Sequence, residues 1–473
     1  MVINMILIND LKKKIGPSKD YKFKEFIIDR QKVHLIYNEV LTSKTNINNQ
    51  IIKKLLSLTK KQLRDLENNI TDCSGEIIDK EEILSYLNKG FLIVITKHIY
   101  AFEFKADLDR GIATIESELS LSGPKDSFSE NFNTNLGLIR RRIKSCELYV
   151  EDMEIGRSTK TKVGILYMNH IVKEPLPKEV KKVLEKIDID GIIDSSYLKA
   201  TLEKDKNFFP TIMMSERPDK SVMALLEGKV VILVDMSPYA LILPSFFIDF
   251  FHTADDYYQK NSNASFIRII RVFAFLIAVF TPAIYISVTT RNYDIIPLKL
   301  LLMLKAGRTF VPFPAYIEAL FMIICFEILK ESDLRMSSTS GSAVSILGGL
   351  ILGDAAVSAG IVSPIMIIVI AISSIAGLIF TSNELVNALR IYKIGILILS
   401  TMLGIYGVIV GGVYMFYKLF NLKIFGMSYL SPIWPFDKNE INDSIFKRDT
   451  KIKKRNAILT KNIVRGKYKW KRF

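Results

Sequence analysis

Hydrophobic and polar positions divide this chain into three regimes. Up to about residue 264, apolar residues come in short runs broken by charge. Ile51, Ile52, Leu55, Leu56 and Leu58 form a broad stripe with Lys53, Lys54, Lys60 and Lys61 outside it, so residues 47 to 88 carry amphipathic helical spacing. FLIVITKHIYAFEF, Phe91 to Phe104, reads as two strands around a polar turn at Thr96 to His98. LEGKVVILVDMSPYALIL, Leu226 to Leu243, follows the same plan. Its Gly228 and Tyr239-Ala240 correspond to Gly90 and Tyr100-Ala101. The pattern predicts two related α/β subdomains. Between them lie a turn at Ser122 to Pro124, a basic helix at Leu136 to Ile143, a strand at Lys160 to Val172, and helical stretches at Val180 to Ile187 and Tyr197 to Leu202.

From Tyr239 onward the apolar runs lengthen. LILPSFFIDFFHTADDYY is too short and too broken by Pro244 and Asp249 to span a bilayer, which takes about 20 apolar residues, and reads as an interfacial helix. Five candidate spans follow: Val272 to Thr289, Phe313 to Leu329, Ala343 to Ala359, Ile361 to Phe380 and Ile391 to Phe416. The expected organisation is an N-terminal extension (1–46), two cytoplasmic α/β subdomains (47–150 and 151–264, the second with the interfacial helix), an all-α multi-pass transmembrane domain (265–420) and a basic cytoplasmic tail (421–473). With both ends on one side the number of complete spans must be even. Either Ala343 to Ala359 is re-entrant or a crossing near Ile295 to Leu304, weakened by Lys299, is missing from the count.

Charge sharpens this picture. The net charge is +15, and the stretch from Lys438 to Phe473 holds 13 Lys and Arg against 3 Asp and Glu. A nucleic-acid binder has such a tail too, but here it follows apolar spans, where basic residues mark the cytoplasmic face and attract anionic lipid. Arg268 and Arg271 before the first span give the same orientation. Membrane lipid is therefore the expected partner, and nucleic acid is not. Cys73, Cys146 and Cys325 are scattered, as are His34, His98, His170 and His252, so neither a disulfide framework nor a metal site is expected. There is no Walker loop, no GxGxxG after a strand and no HExxH, which leaves no cofactor site and no basis for an enzyme.

The candidate chemistry lies in the spans. GSAVSILGGLILGDAAVSAGIVSP, Gly341 to Pro364, is apolar yet crowded with small residues, which suits close backbone approach rather than contact with lipid. Ser342, Ser345, Gly349, Leu352, Ala356 and Ala359 recur at spacings of three and four. They form one stripe that would line a pore in a ring of subunits, with Leu352 as an apolar constriction. A helix–helix seam has the same composition. Gly349 pairs with Gly353, and Gly407 with Gly411, as GxxxG packing pairs. Three carboxylates interrupt the apolar segments: Glu318, Glu327 and Asp354. Glu318 and Glu327 are nine residues apart and point to opposite faces of a straight helix. The basic run Arg140, Arg141 and Arg142 offers either a phosphate site or a solvated, salt-bridged helix face.

Taken together, Ser122-Gly123-Pro124, Asn135 to Arg142, SERP (Ser215 to Pro218), Leu226 to Pro244, DDYY (Asp255 to Tyr258), VPFP (Val311 to Pro314), Glu318-Ala319-Leu320, FEIL (Phe326 to Leu329), Ala343 to Ile346, AGIVSP (Ala359 to Pro364) and SYLSPIWP ending at Pro435 resemble the A subunit of the GerA-type spore germination receptors. The chain departs from that family in having GPKD where GPRE is usual, and in the length of its basic tail. The resemblance implies a multi-pass protein of the spore inner membrane in an endospore-forming bacterium. It also implies a transporter-like B subunit and a lipoprotein C subunit as partners, and a part in nutrient-triggered germination with early cation release. The leading expectation is a non-enzymatic subunit that forms a homo-oligomer and forms or gates a cation path. A secondary transporter component and a non-conducting scaffold for the sensing partner are the alternatives.

Overall fold

The structure is a computed structural model that describes residues 2–28, 31–57, 75–106, 118, 120–203, 207–335, 349, 353–434, 444–447 and 459–460. The chain divides into two compact units. One comprises Met1–Lys204, Thr211–Ser245 and Asp449–Phe473, the other Asp205–Pro210 and Phe246–Arg448.

The first unit is α/β and contains two five-stranded antiparallel sheets. Strands β1 (Tyr21–Ile28), β2 (Gln31–Asn38), β3 (Gly75–Ile77), β4 (Phe91–Ile95) and β5 (Ile99–Glu103) are arranged β1-β2-β4-β5-β3. Strands β6 (Leu148–Ile155), β7 (Thr161–Met168), β8 (Met213–Ser215), β9 (Val230–Val234) and β10 (Ala240–Leu243) are arranged β6-β7-β9-β10-β8, the same order. Alternation along the strands sends Val33, Leu35, Leu92 and Val94 to one face of the first sheet, against Ile47, Ile51 and Leu55 of a helical run. It sends Ile36, Ile93 and Ile95 to the other, against helix α1 (Val2–Ile15) and helix α2 (Ile83–Asn88). Cover on both faces is why β4 is a continuous apolar run. Gly90 precedes β4 with φ +87°, and a Cβ there would stand 2.8 Å from the Leu41 carbonyl oxygen. Its counterpart before β9, Gly228, closes a helix with φ +94°.

Residues 1–46 are not an extension. They supply α1, β1 and β2 to the first sheet. The signal is weak because β1 is an edge strand with exposed Lys24 and Glu25, so it carries no clean apolar alternation.

The second unit is helical. Its helices are α3 (Asp255–Tyr258), α4 (Asn261–Thr290), α5 (Leu298–Ala306), α6 (Ala315–Arg335), α7 (Pro364–Leu378), α8 (Asn383–Leu403) and α9 (Ile405–Asn421). By length and composition, α4 and α8 can cross a membrane, and α7 and α9 are shorter apolar helices.

Three expectations are corrected in this unit. The segment read as an interfacial helix is instead a 3₁₀ turn at Phe247–Phe251 whose Phe247 and Phe251 are buried against Phe275. Its aromatics bury on all sides, which a helix lying on a surface does not do. The last span, Ile391 to Phe416, is two antiparallel helices reversing at Gly404, φ +63°. Gly407 there approaches Leu399 so closely that a Cβ would lie 2.1 Å from its carbonyl oxygen, and one on Gly411 would lie 2.8 Å from Ile396. Helix α5 has nine residues, about 14 Å, so Ile295 to Leu304 is not a hidden crossing.

The tail is also held in places. In the helical unit, Tyr429 is buried and donates its hydroxyl to the Pro210 carbonyl. Lys447 is buried and its amine donates to the carbonyls of Asp256 and Gln259. In the α/β unit, Thr460 forms a bridge with Val172.

Candidate functional site in the helical unit

Two groups of charged side chains are built into the apolar helices. VPFP ends the loop after α5 and starts α6, placing Glu318 in the first turn of that helix. Glu318 is fully buried and accepts from Arg308 Nη2 at 2.9 Å and from the Ser363 backbone N–H at 2.9 Å. AGIVSP supplies the other side: Gly360 turns with φ +66°, and Ser363 caps α7 ahead of Pro364. Three of the sequence motifs thus meet at one junction, where Glu318 fastens two helix starts together.

The second group lies further along the same helices. Glu327 of α6 pairs with Arg390 Nη2 of α8 at 2.6 Å. They border a cavity of about 250 Å³ whose lining includes Lys330, Gly349, Ser373 and Lys393. Ser373 donates its hydroxyl to the Ala278 carbonyl of α4 at 2.8 Å. Lys393 is 9% exposed. Three basic side chains against one carboxylate make this cavity attractive to an anion and unfavourable for a cation.

The remaining sequence candidates are dispersed. Ser342, Ser345 and Leu352 lie outside the described residues. Gly349 lines the cavity, Ala356 is buried, and Ala359 and Asp354 are exposed. Among the described residues, a Cβ on Gly349 or Gly353 would meet nothing within 4 Å. Gly407 and Gly411 do face another helix, α8. Sequence reasoning passed over Arg308, Arg390 and Lys393, and took Lys330 only as a neighbour of Glu327. The available signal was spacing: Glu327 and Lys330, and Arg390 and Lys393, are each three apart and so share a helix face.

A third cluster lies at the start of α4. Arg271 Nη1 approaches Asp256 at 2.6 Å and Arg268 Nε at 3.2 Å, so the residues read as orientation markers are buried and paired within the protein. Burial alone would raise the Asp256 carboxyl. The Arg271 hydrogen bond and the two guanidinium charges outweigh it and hold the group below the usual carboxylate range. In the α/β unit, Arg140 pairs with Asp20 and Arg142 with Asp126, which is the salt-bridged reading of the basic helix. Among the described residues, no three His, Cys, Asp or Glu gather as a metal site.

The family profile described as Bacillus/Clostridium GerA spore germination protein matches residues 9–458. This chain belongs to the GerA family. It is 38% identical over 454 residues to spore germination protein KA of Bacillus subtilis (strain 168), covering 93% of this chain and 83% of that one. It is 33% identical over 462 residues to spore germination protein B1 of the same organism, covering 95% of each. Among solved structures it is similar to the N-terminal domain of the A subunit of the Bacillus megaterium spore germinant receptor GerK3. That match has 28% identity and a TM-score of 0.39 over 51% of this chain and 94% of that one. GerA-family membership supports a role in germination, in a family not known for catalysis.

Proposed function

We propose that this chain is the membrane subunit of a spore germinant receptor in the spore inner membrane. It passes nutrient sensing on to germination by oligomerising to form or gate a cation path, together with transporter-like B and lipoprotein C subunits. Helix directions support several traverses. Glu318 meets Ser363 near the starts of α6 and α7, and Phe326 to Lys330 share the cavity with Ser373 to Leu378, so α6 and α7 run parallel. Helix α8 runs with α4, since Arg291 donates to the Thr401 carbonyl near the ends of both, and α9 runs back. We place both termini in the cytoplasm, which requires an even number of complete crossings.

The observation that supports the path is the exposure that follows Gly349: Asp354 and Ala359 are exposed, and among the described residues nothing lies within 4 Å of where a Gly353 side chain would be. These positions are open to a neighbouring subunit or to water. The test is cation flux through the receptor reconstituted in liposomes. Leu352→Ala should leak without nutrient, and Leu352→Ser at least as strongly. Normal assembly with tightly closed resting behaviour in both would rule out Leu352 as the gate.

A further inference from the structure

Among the described residues, the cavity that α6, α7 and α8 line carries three basic side chains against one carboxylate. Arg390 and Glu327 satisfy each other at 2.6 Å. Lys393 is nine-tenths buried, and among the described residues its ammonium has no hydrogen-bond or salt-bridge partner. The Nε of Arg390 is buried without an acceptor as well. The residues flanking Gly349, 336–348 and 350–352, contain no Asp or Glu, so that stretch has no carboxylate to bring to the cavity. An uncompensated buried charge is costly by several kcal/mol. The site has room for a counter-ion at about 250 Å³, and its lining includes the hydroxyl-bearing Ser373 and Ser374 and the apolar Leu378 and Leu389.

We propose that this cavity binds a phosphate-type oxyanion, with Lys393 as its principal charge and Arg390 and Lys330 beside it. The anion is either the headgroup of an anionic lipid, whose chains would meet the apolar lining residues Leu378 and Leu389, or free phosphate. Basic pockets between membrane helices are a known way of holding such headgroups. The proposal goes beyond the receptor reading and does not depend on it.

The test uses the full-length protein in phosphatidylcholine nanodiscs, with and without phosphatidylglycerol, and separately with millimolar inorganic phosphate. Melting temperature and the lipid retained in native mass spectra are read for the wild type, Lys393→Met and Lys393→Arg. The expected result is that phosphatidylglycerol raises the wild-type melting temperature and is retained. Lys393→Met should weaken that response at least tenfold, and Lys393→Arg should keep it. Any lipid binding by the basic tail is common to all three proteins and cancels. The same Lys393-dependent shift with inorganic phosphate alone would identify free phosphate as the ligand. Equal responses of wild type and Lys393→Met to phosphatidylglycerol, with none to phosphate, would overturn the proposal. Should Lys393→Met fail to fold, Lys330→Gln carries the same comparison: a response reduced from wild type supports the site, and an unchanged one overturns it.

Discussion

Replacing Arg140 by methionine should unfasten the joint between the two sheets of the α/β unit. Arg140 and Asp20 have side-chain exposures of only 1% and 3%, and Nε approaches the carboxylate at 2.9 Å. Nη2 reaches the other oxygen at 3.0 Å, Nη1 donates to the Ser145 carbonyl at 3.2 Å, and Asn38 adds a third bond to Asp20 at 2.8 Å. Next to it Ser18, in the approach to β1, accepts from the Val150 amide of β6. Methionine fills the volume but strands the Asp20 carboxylate. Removing one partner of such a pair costs about 3–5 kcal/mol. At about 1.4 kcal/mol per factor of ten, opening of the joint should become roughly two to three and a half powers of ten more frequent. Hydrogen exchange of the full chain in detergent, read on peptides covering β1 and β6, reports that opening. Asp20→Asn together with Arg140→Met removes both charges and should recover part of the lost protection. Exchange within threefold of wild type in Arg140→Met, or a double variant worse than Arg140→Met alone, would refute the charge argument.

Glycine substitutions should divide by environment. Gly407→Ala meets the Leu399 backbone and should lose well over 1 kcal/mol, seen as a lower yield of monodisperse protein, while Gly353→Ala meets nothing and should be neutral or slightly stabilising. At the start of α4 the depressed Asp256 carboxyl contributes stability that is fully present above its unfolded value of about 3.9 and is lost as pH falls through its lower folded value. Thermal melts of the wild type should therefore not lose this contribution between pH 7 and 5. Asp256→Asn should melt lower at pH 7 and lose less on further acidification. Glu318→Ala should destabilise by about 3 kcal/mol, since it strands half-buried Arg308 and leaves the Ser363 amide without its acceptor. Glu318→Gln keeps one acceptor and should cost less, and equal melting temperatures for the two would contradict the junction.

The α/β unit was legible where strands are covered on both faces. Phe91 to Phe104 and Leu226 to Leu243 read directly because nothing polar can be inserted into β4 or β9. β1 was not legible, because an edge strand with one wet side tolerates Lys and Glu. The helical unit misleads for the opposite reason. Its hydropathy is nearly uniform, so a reversal costs nothing in apolar content, and Gly404 turns the chain inside a run that looks like one span. That single reversal makes two helices of what reads as one span. The charged groups follow the same logic. Glu318, Glu327 and Asp354 stood out one by one as costly residues in apolar sequence, but cost is assigned by partners, and the partners are brought by other helices: Arg308 and Ser363 to the first, Arg390 to the second. Asp354 is exposed, and there the sequence marks a polar position without its purpose. Lys393 was hidden because one lysine in a long apolar run resembles a span boundary. Only the fold places it inside, beside Arg390 and Lys330, where an unmatched positive charge becomes a reason to expect a bound anion.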